Sequence, residues 1–494
     1  MEQIRIGIVG AGYVGVVTGA TLAHIGHQVV CVDKDEALIS ALQANQMPFY
    51  EPGLEELVSH CVYRERLSFA DSADLAKLVG EADAIFICVD TPQSKNGSAD
   101  LSSVAAVACS IGRAISEVDR ECPLLLVNKS TVPVGSGDYV SMLIREGLEE
   151  AGEDTDADRT TPFLVASNPE FLREGSALYD SLFPDRIVVG SESRAATDFL
   201  RVLYEPIVEQ SFPTELDPRP KVTVPFITTD LVSAEMIKYA ANAFLATKVS
   251  FINEIANLCE LVGADAGEVA YGIGLDGRIG SRFLSAGIGW GGSCFPKDLA
   301  ALRAVAEEYE HETPLLDATV AVNERQHKQV VGKLQRELHT LKGKRIALLG
   351  LSFKPNTDDL RGAPSLEIAN SLSSLGARVV GYDPVAGKKA AYLSSNLLSA
   401  PIKVAFDPYE ALSEAHAAVI VTEWEEFRKL DLARVASLMR KPPLLVDGRN
   451  ALDPKEIKAA GIRYRGFGYG DARDAFAPRN ARAIGIHYAE FGRV

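Results

Sequence analysis

The chain opens with Ile4-Arg5-Ile6-Gly7-Ile8-Val9-Gly10-Ala11-Gly12-Tyr13-Val14-Gly15, and this stretch decides the fold. Ile4 to Val9 is a short, apolar, β-branched run suited to a buried parallel strand. A helix-like stretch follows the glycines to about Ile25. A turn at Gly26 then leads to a second strand, Gln28 to Val32, which ends on Asp33. Strand, G-x-G-x-x-G, helix, strand and acid together make the dinucleotide-binding fingerprint in its proper context. Gly10 makes the turn, Gly12 lets a pyrophosphate approach, and Gly15 lets helix pack on strand. The phosphates meet the helix N-terminus. Asp33 is placed to accept hydrogen bonds from both ribose hydroxyls and to repel a 2′-phosphate, so NAD is expected rather than NADP. Tyr13 and Val14, inside the turn, join the cofactor-binding set.

The α/β alternation continues through strands at Ala84–Val89, Leu124–Val127 and Phe163–Ala166. In doubly wound sheets the loops after strand carboxyl ends line the ligand crevice, which makes Thr91, Ser130 and Thr131 candidates. Ordinary turn chemistry is the competing reading of the same residues. The loop after Ala166 carries Glu170 and Glu174, four apart. They are candidates for a water-activating base and a cofactor contact, or else one face of a solvated helix.

At 494 residues, two or three domains are expected. The composition, 47% hydrophobic and 24% charged, is that of a globular protein. No apolar run reaches membrane-spanning length and no signal-peptide pattern precedes the first strand. Seven irregularly spaced cysteines without a C-x-x-C pair argue against a disulfide framework and a zinc site, and for the cytoplasm; no metal is expected. A net charge of −17 argues against nucleic-acid binding. A small anionic ligand would need a local cluster of cations.

From about Asp230 the texture changes. Leu231 to Leu261 lacks Gly and Pro and reads as one long helix, apolar on more than one side. Lys238 and Asn242 share a face of it; the lysine either snorkels to solvent or sits in a site. Farther on stands Gly289-Trp290-Gly291-Gly292-Ser293-Cys294-Phe295-Pro296-Lys297-Asp298. Pro296 suits the first position of a helix, which puts Cys294 just ahead of a helix N-terminus, where a thiolate is favoured. Lys297 adds positive charge, and Asp298 falls one turn beyond the cysteine. The alternatives are a nucleophile and a structural cysteine in a turn. A second α/β pattern, a degenerate echo of the first, begins at Lys344–Leu349 and includes Arg378–Tyr382 ending on Asp383. It continues near Ala418–Val421 and Leu444–Val446.

A cysteine nucleophile beside an NAD site permits a specific route. A thiolate adds to an aldehyde, the hemithioacetal gives up hydride, and water cleaves the resulting thioester. Lys238, Asn242 and Asp298 add a proton acceptor and oxyanion stabilisation, so one site can carry a primary alcohol to a carboxylate. The motifs GAGYVG, FYEPGL (Phe49–Leu54), KSTVPVG (Lys129–Gly135), NPEFLREG (Asn168–Gly175), GWGGSCFPKD, LSFKPNTDDLR (Leu351–Arg361) and VDGRN (Val446–Asn450) resemble those of the nucleotide-sugar 6-dehydrogenases. The likeness runs to about Tyr469 and leans to the UDP-glucose branch in GLDGRIGSRFLSAGIGWGGSCFPKD.

That resemblance implies an α/β fold of two Rossmann-like doubly wound domains joined by a central helical dimerisation region with a long helix. The expected boundaries are 1–225, 226–335 and 336–470, with a tail at 471–494. It implies NAD-dependent four-electron oxidation of UDP-glucose to UDP-glucuronate by a homodimer or higher homo-oligomer. GDP-mannose, a UDP-N-acetylhexosamine and a non-catalytic nucleotide sensor are the alternatives. Carried over, Cys294 holds the thiohemiacetal and thioester, and Lys238 with Asn242 stabilises the oxyanion. Asp298 organises the lysine and a water; Glu170, with Thr131 nearby, activates the hydrolytic water. Glu174, Lys297 and Arg361 are implied as cofactor contacts. Phe171, Leu172, Arg173, Phe283, Leu284, Gly287 and Gly291 are implied to line the substrate pocket, with Lys354 and Arg449 gripping the nucleotide-sugar. Arg278 is implied to reach the neighbouring subunit's substrate. Glu205–Thr223 is longer than the pattern and reads as a surface insertion.

Overall fold

The computed structural model describes residues 3–94, 97–152, 162–214, 223–396 and 402–469. The tail beyond residue 470 lies outside them. Eight strands form the first sheet: β1 (Arg5–Val9), β2 (Gln28–Asp33), β3 (Leu67–Asp71), β4 (Ala84–Ile87), β5 (Leu124–Asn128), β6 (Phe163–Ser167), β7 (Ile187–Gly190) and β8 (Phe226–Thr229). Their order is β3-β2-β1-β4-β5-β6-β7-β8. Only the β6–β7 pair, joined at Ser167 and Gly190, is antiparallel. The reversal of strand order between β1 and β4 opens a crevice beyond their carboxyl ends. β4 (AIFI) is buried throughout, as a strand covered by helices on both faces requires.

The second α/β region also forms a doubly wound sheet. Its strands are β9 (Arg345–Leu349), β10 (Arg378–Tyr382), β11 (Lys403–Val404), β12 (Ala417–Ile420), β13 (Leu444–Asp447) and β14 (Arg463–Arg465), in the order β11-β10-β9-β12-β13-β14. The echo is therefore closer in topology than its sequence indicates. The two α/β units thus have the expected Rossmann-like form.

Between the sheets runs the helix Leu231–Val262, 32 residues long. Asp230 caps it by accepting from Ser233 N at 2.7 Å, and Gly263 closes it at a φ of +80°. Five of its polar residues, Glu235, Lys238, Asn242, Ser250 and Asn253, are buried on the side facing the sheets and the cysteine loop.

Two expectations are corrected. The cysteine helix starts at Cys294, not after it, and runs to Glu308 with Ser293 as its cap residue. Pro296 is then its third residue, where a missing N–H costs nothing because first-turn amides have no intrahelical partner. The segment from Glu205 is not wholly a surface insertion. Glu205–Val208 completes the helix Arg194–Val208, and Pro206, Ile207, Val208 and Phe212 are buried. Their side chains finish that helix's apolar face. Residues 215–222 of the same segment lie outside the described residues.

Candidate active site

The glycine turn leaves a cradle of bare backbone. A Cβ on Gly10, whose φ is +103°, would lie 2.7 Å from the Cys88 carbonyl, and one on Gly15 would lie 1.8 Å from the Gly10 oxygen. A Cβ on Gly12 would meet nothing within 4 Å, so only at this glycine is the space open. Gly12 caps the helix Tyr13–His24 without a side-chain hydrogen bond. The first-turn amides around Tyr13 and Val14 are thus available to an anion. Asp33 accepts from Ala11 N at 2.7 Å and Asp35 N at 3.0 Å while remaining half-buried. An open anion-binding helix end beside a strand-end carboxylate fits NAD. Asp383, its counterpart in the second sheet, is different. It is buried and accepts from Leu351 N (2.7 Å), Ser352 N (2.9 Å) and Trp424 Nε1 (3.1 Å), so no ribose can reach it.

The crevice loops are tied to one another. Thr91 Oγ1 donates to the Thr131 carbonyl and Ser130 Oγ to the Val89 carbonyl, both at 2.7 Å. Both hydroxyls thus do turn work at the crevice, and each keeps acceptor capacity for a ligand.

The catalytic candidates converge from three segments. Lys238 Nζ donates at 2.7 Å to Glu170 Oε1 and at 2.7 Å to the Glu170 carbonyl. Glu170 Oε2 accepts from Leu172 N at 2.9 Å. Asn242 Nδ2 donates to Asp298 Oδ2 at 2.6 Å, and Lys297 Nζ lies 3.1 Å from Asp298 Oδ1. Asp298 thus holds Asn242 and Lys297, while the lysine expected to rest on it is held by Glu170. Glu170 and Glu174 lie in a loop, not on a solvated helix, and Glu170 is buried.

Cys294 is exposed as a residue, yet protein surrounds its sulfur closely. That burial raises its pKa, and Lys238 opposes the rise. The helix end does not by itself yield a thiolate, contrary to the sequence expectation, because desolvation and the carboxylates of Glu170 and Asp298 disfavour a second negative charge. For Lys238 burial acts downward, but Glu170, Cys294 and Asp298 outweigh it and hold the ammonium above its ordinary pKa.

The cleft wall is built from both sheets. Phe171 carries the Arg186 guanidinium 3.7 Å above its ring, with Lys238 5.6 Å from the same centroid. Arg173 pairs with Asp180 at 2.6 Å. Glu174 meets Arg361 at 3.3 Å and Thr357 Oγ1 at 3.4 Å, so these two expected cofactor contacts join the two α/β units. Lys354 is half-buried against Phe353, and burial lowers its pKa. Arg449 donates to the carbonyls of Val421 (2.8 Å), Gly289 (3.0 Å) and Phe353 (3.3 Å), fastening the cysteine loop to the second sheet. In the loop Phe283–Gly287, Phe283 adopts a φ of +65° with its ring 6.4 Å from Phe295, and Leu284 is buried. Gly287 and Gly291 approach the backbone of Gly448 and Gly362 too closely for any side chain. Arg278 stands apart, exposed and paired with Asp276 at 2.6 Å.

Several supporting residues escaped the sequence reading. Glu51 accepts from the Tyr13 hydroxyl, Gly175 N (2.6 Å) and Ala177 N (2.7 Å), joining the glycine turn to the substrate loop. Glu235 receives Gly135 N (2.7 Å), Gly137 N (2.8 Å) and Ser167 Oγ (2.9 Å). Asn323 accepts from Trp290 N and donates to its carbonyl, and Asn253 accepts from Gly287 N. The available signal was periodicity: Glu235, Lys238, Asn242 and Asn253 fall on one face of a largely apolar helix. Glu51 had no such signal, since Tyr13 lies 38 residues away and Gly175 and Ala177 lie 124 and 126 away.

Comparison with known proteins bears on the whole described chain. Residues 4–208 match the NAD binding domain of the UDP-glucose/GDP-mannose dehydrogenase family, 232–325 its central domain and 347–454 its UDP binding domain. A UDP-glucose 6-dehydrogenase of Rhizobium meliloti is 46% identical over 475 residues, covering 95% of this chain and 100% of that protein. The UDP-glucose 6-dehydrogenase TuaD of Bacillus subtilis is 43% identical over 464 residues, covering 94% of this chain and 93% of its own. The solved structure of a UDP-glucose dehydrogenase from the archaeon Pyrobaculum islandicum superimposes with a TM-score of 0.82 at 37% identity. It covers 95% of this chain and 98% of its own.

Proposed function

The chain belongs to the UDP-glucose/GDP-mannose dehydrogenase family, and from that premise we propose that it oxidises UDP-glucose to UDP-glucuronate with NAD. The observation that carries the chemistry is Cys294 at the cleft beside two buried pairs, Lys238–Glu170 and Asn242–Asp298. NAD, when bound at the glycine turn, accepts the hydride of each oxidation.

The chain's own residues do the rest. Lys238 and Asn242 hold the oxygen on C6 as it gains negative charge, a stabilisation strongest in a site closed to water. Asp298 fixes the Asn242 amide and takes part in moving the alcohol proton through a water. Cys294 sulfur adds to the aldehyde carbon, and loss of the second hydride leaves a thioester on that sulfur. Glu170 then takes a proton from the attacking water, with Thr131 nearby. Lys354 faces the cleft with a cation suited to the diphosphate.

A homodimer is part of this reading. Phe244, Phe251 and Leu258 are 66%, 50% and 53% exposed and stand seven residues apart, an apolar seam on the long helix away from the sheets. A second copy covers that seam and delivers its Arg278, whose exposed side chain pairs with Asp276 on its own copy. The cytoplasm is the location supported by seven free cysteines. No helix among the described residues is long and apolar enough to cross a membrane.

The test is the NADH formed per sugar when nucleotide-sugars are limiting. Two per UDP-glucose, with little from GDP-mannose, is expected. One per sugar would leave Cys294 without a covalent role.

A further inference from the structure

Glu170 borders two spaces. One is the catalytic cleft, where Lys238 holds it. The other is a cavity of about 70 Å³ between the helix Tyr13–His24, β7 and the helices Ala177–Leu182 and Arg194–Val208. That volume accommodates several waters, at roughly 10–15 Å³ each. Leu22, Ile187 and Ile207 make much of the wall apolar, and Phe171 and Leu172, expected to line the substrate pocket, form the wall it shares with the cleft. The polar groups form a connected set that ends two residues before Glu170. Lys129 Nζ donates to Asn168 Oδ1 at 2.9 Å and to the Asn168 carbonyl at 3.3 Å. Tyr204 OH donates to the same Oδ1 at 2.7 Å. An ammonium has three donors, so Lys129 keeps one for a water.

We infer that this cavity is the chamber through which the hydrolytic water reaches Glu170 and the released proton leaves, with Lys129 as a positioning residue. The inference rests on the thioester reading above. Both hydride transfers need a cleft closed to bulk water beyond the one ordered by Asp298, since free water would divert the reaction. Hydrolysis then needs one water at the thioester carbon. A supply from behind Glu170 meets both needs. The water oxygen bonds to the carbonyl carbon, the C–S bond breaks, and its electron pair leaves on Cys294 sulfur. Of the two water protons, one ends on that sulfur. The other passes through Glu170 to the chamber as the product becomes a carboxylate.

Lys129 is suited to such a place. Burial pushes its pKa down to about 8, against the opposing pull of Cys88 and Glu170. Lys238 also faces it by charge, the Tyr204 ring stands 6.0 Å away, and Asp180 and Arg186 share the cavity wall.

The experiment fills the chamber from its far side. In Ser181→Phe, two NADH per site should form at the normal rate. Steady turnover should then fall about tenfold or more, as part of the base-catalysed water attack is lost. A thioester adduct on Cys294 should appear in the intact mass. Ile207→Phe should behave alike. Lys129→Met should also accumulate adduct and lose the pH dependence of hydrolysis near neutrality. Glu170→Gln is the reference. If Glu170→Gln accumulates adduct while both filling variants turn over normally, water enters by the cleft and the inference is wrong. Loss of the fast NADH phase in both filling variants also overturns it, since the cavity would then serve the first oxidation. Absence of adduct in Glu170→Gln itself would remove the thioester reading instead.

Discussion

Lys238 Nζ lies 2.7 Å from both the carboxylate and the backbone carbonyl of Glu170, so one ammonium joins the long helix to the loop after β6. The pair is buried on both sides, at 6% and 8% side-chain exposure. Such a pair is worth little as net stability, but breaking one half is costly because the other charge stays buried. The residue expected to meet the oxyanion is therefore also the one that fixes the residue expected to activate water.

Lys238→Ala should lower turnover by about 10²–10³-fold, the usual loss for one oxyanion donor. It should also destabilise the fold by roughly 3–5 kcal/mol, since Glu170 is left unpaired. Lys238→Met with Glu170→Gln should regain the stability and not the activity. Denaturant unfolding and kcat, measured on the same preparations, separate the two effects. Recovery of activity in the double variant would refute the oxyanion role.

Cys294 should react with iodoacetamide more slowly than a free thiol at neutral pH. Its rate should climb only as pH passes above the ordinary thiol range, because burial raises its pKa. Lys238→Ala should push that climb still higher, since Lys238 is the group that lowers it. A midpoint below that of free cysteine would show that the helix end wins over desolvation.

Glu174 should make the protein's stability pH-dependent. Burial first, and Asp359 next, raise its pKa from 4.5 to about 7. A raised folded-state pKa means the folded form binds the proton more tightly. Its contribution is full below about 4.5 and is lost as pH rises to about 7. Glu174→Gln removes that dependence. The Tm of the variant relative to the parent should thus increase across this interval and level off above it. A constant difference would contradict the shift.

Phe244→Glu combined with Phe251→Glu should leave a folded chain that sediments at monomer mass. Both side chains are exposed on the long helix, so little of the chain's own core is disturbed. Activity should fall with dissociation if Arg278 serves the neighbouring copy's site, as proposed. A dimer that survives both charges would move the interface elsewhere.

Some of this was settled by local order along the chain. The fingerprint from Ile4 to Asp33 requires a strand, a tight glycine turn, a helix and an acid in sequence, and each is a short-range property of the backbone. The long helix was equally legible, because a run from Leu231 to Leu261 without Gly or Pro is a property of one segment. Lys238 and Asn242 could be placed on one face for the same reason. Tertiary structure decided the rest, because charge and hydrogen bonding act between segments far apart in sequence. It chose Glu170 over Asp298 as the partner of Lys238, buried Asp383 beneath Trp424 where its counterpart Asp33 stays accessible, and raised the Cys294 thiol where its helix end alone would have lowered it. Glu51 shows the same limit: its three partners approach only when the first sheet closes. A carboxylate's neighbours, and hence its pKa and its use, are fixed by packing and not by the residues beside it.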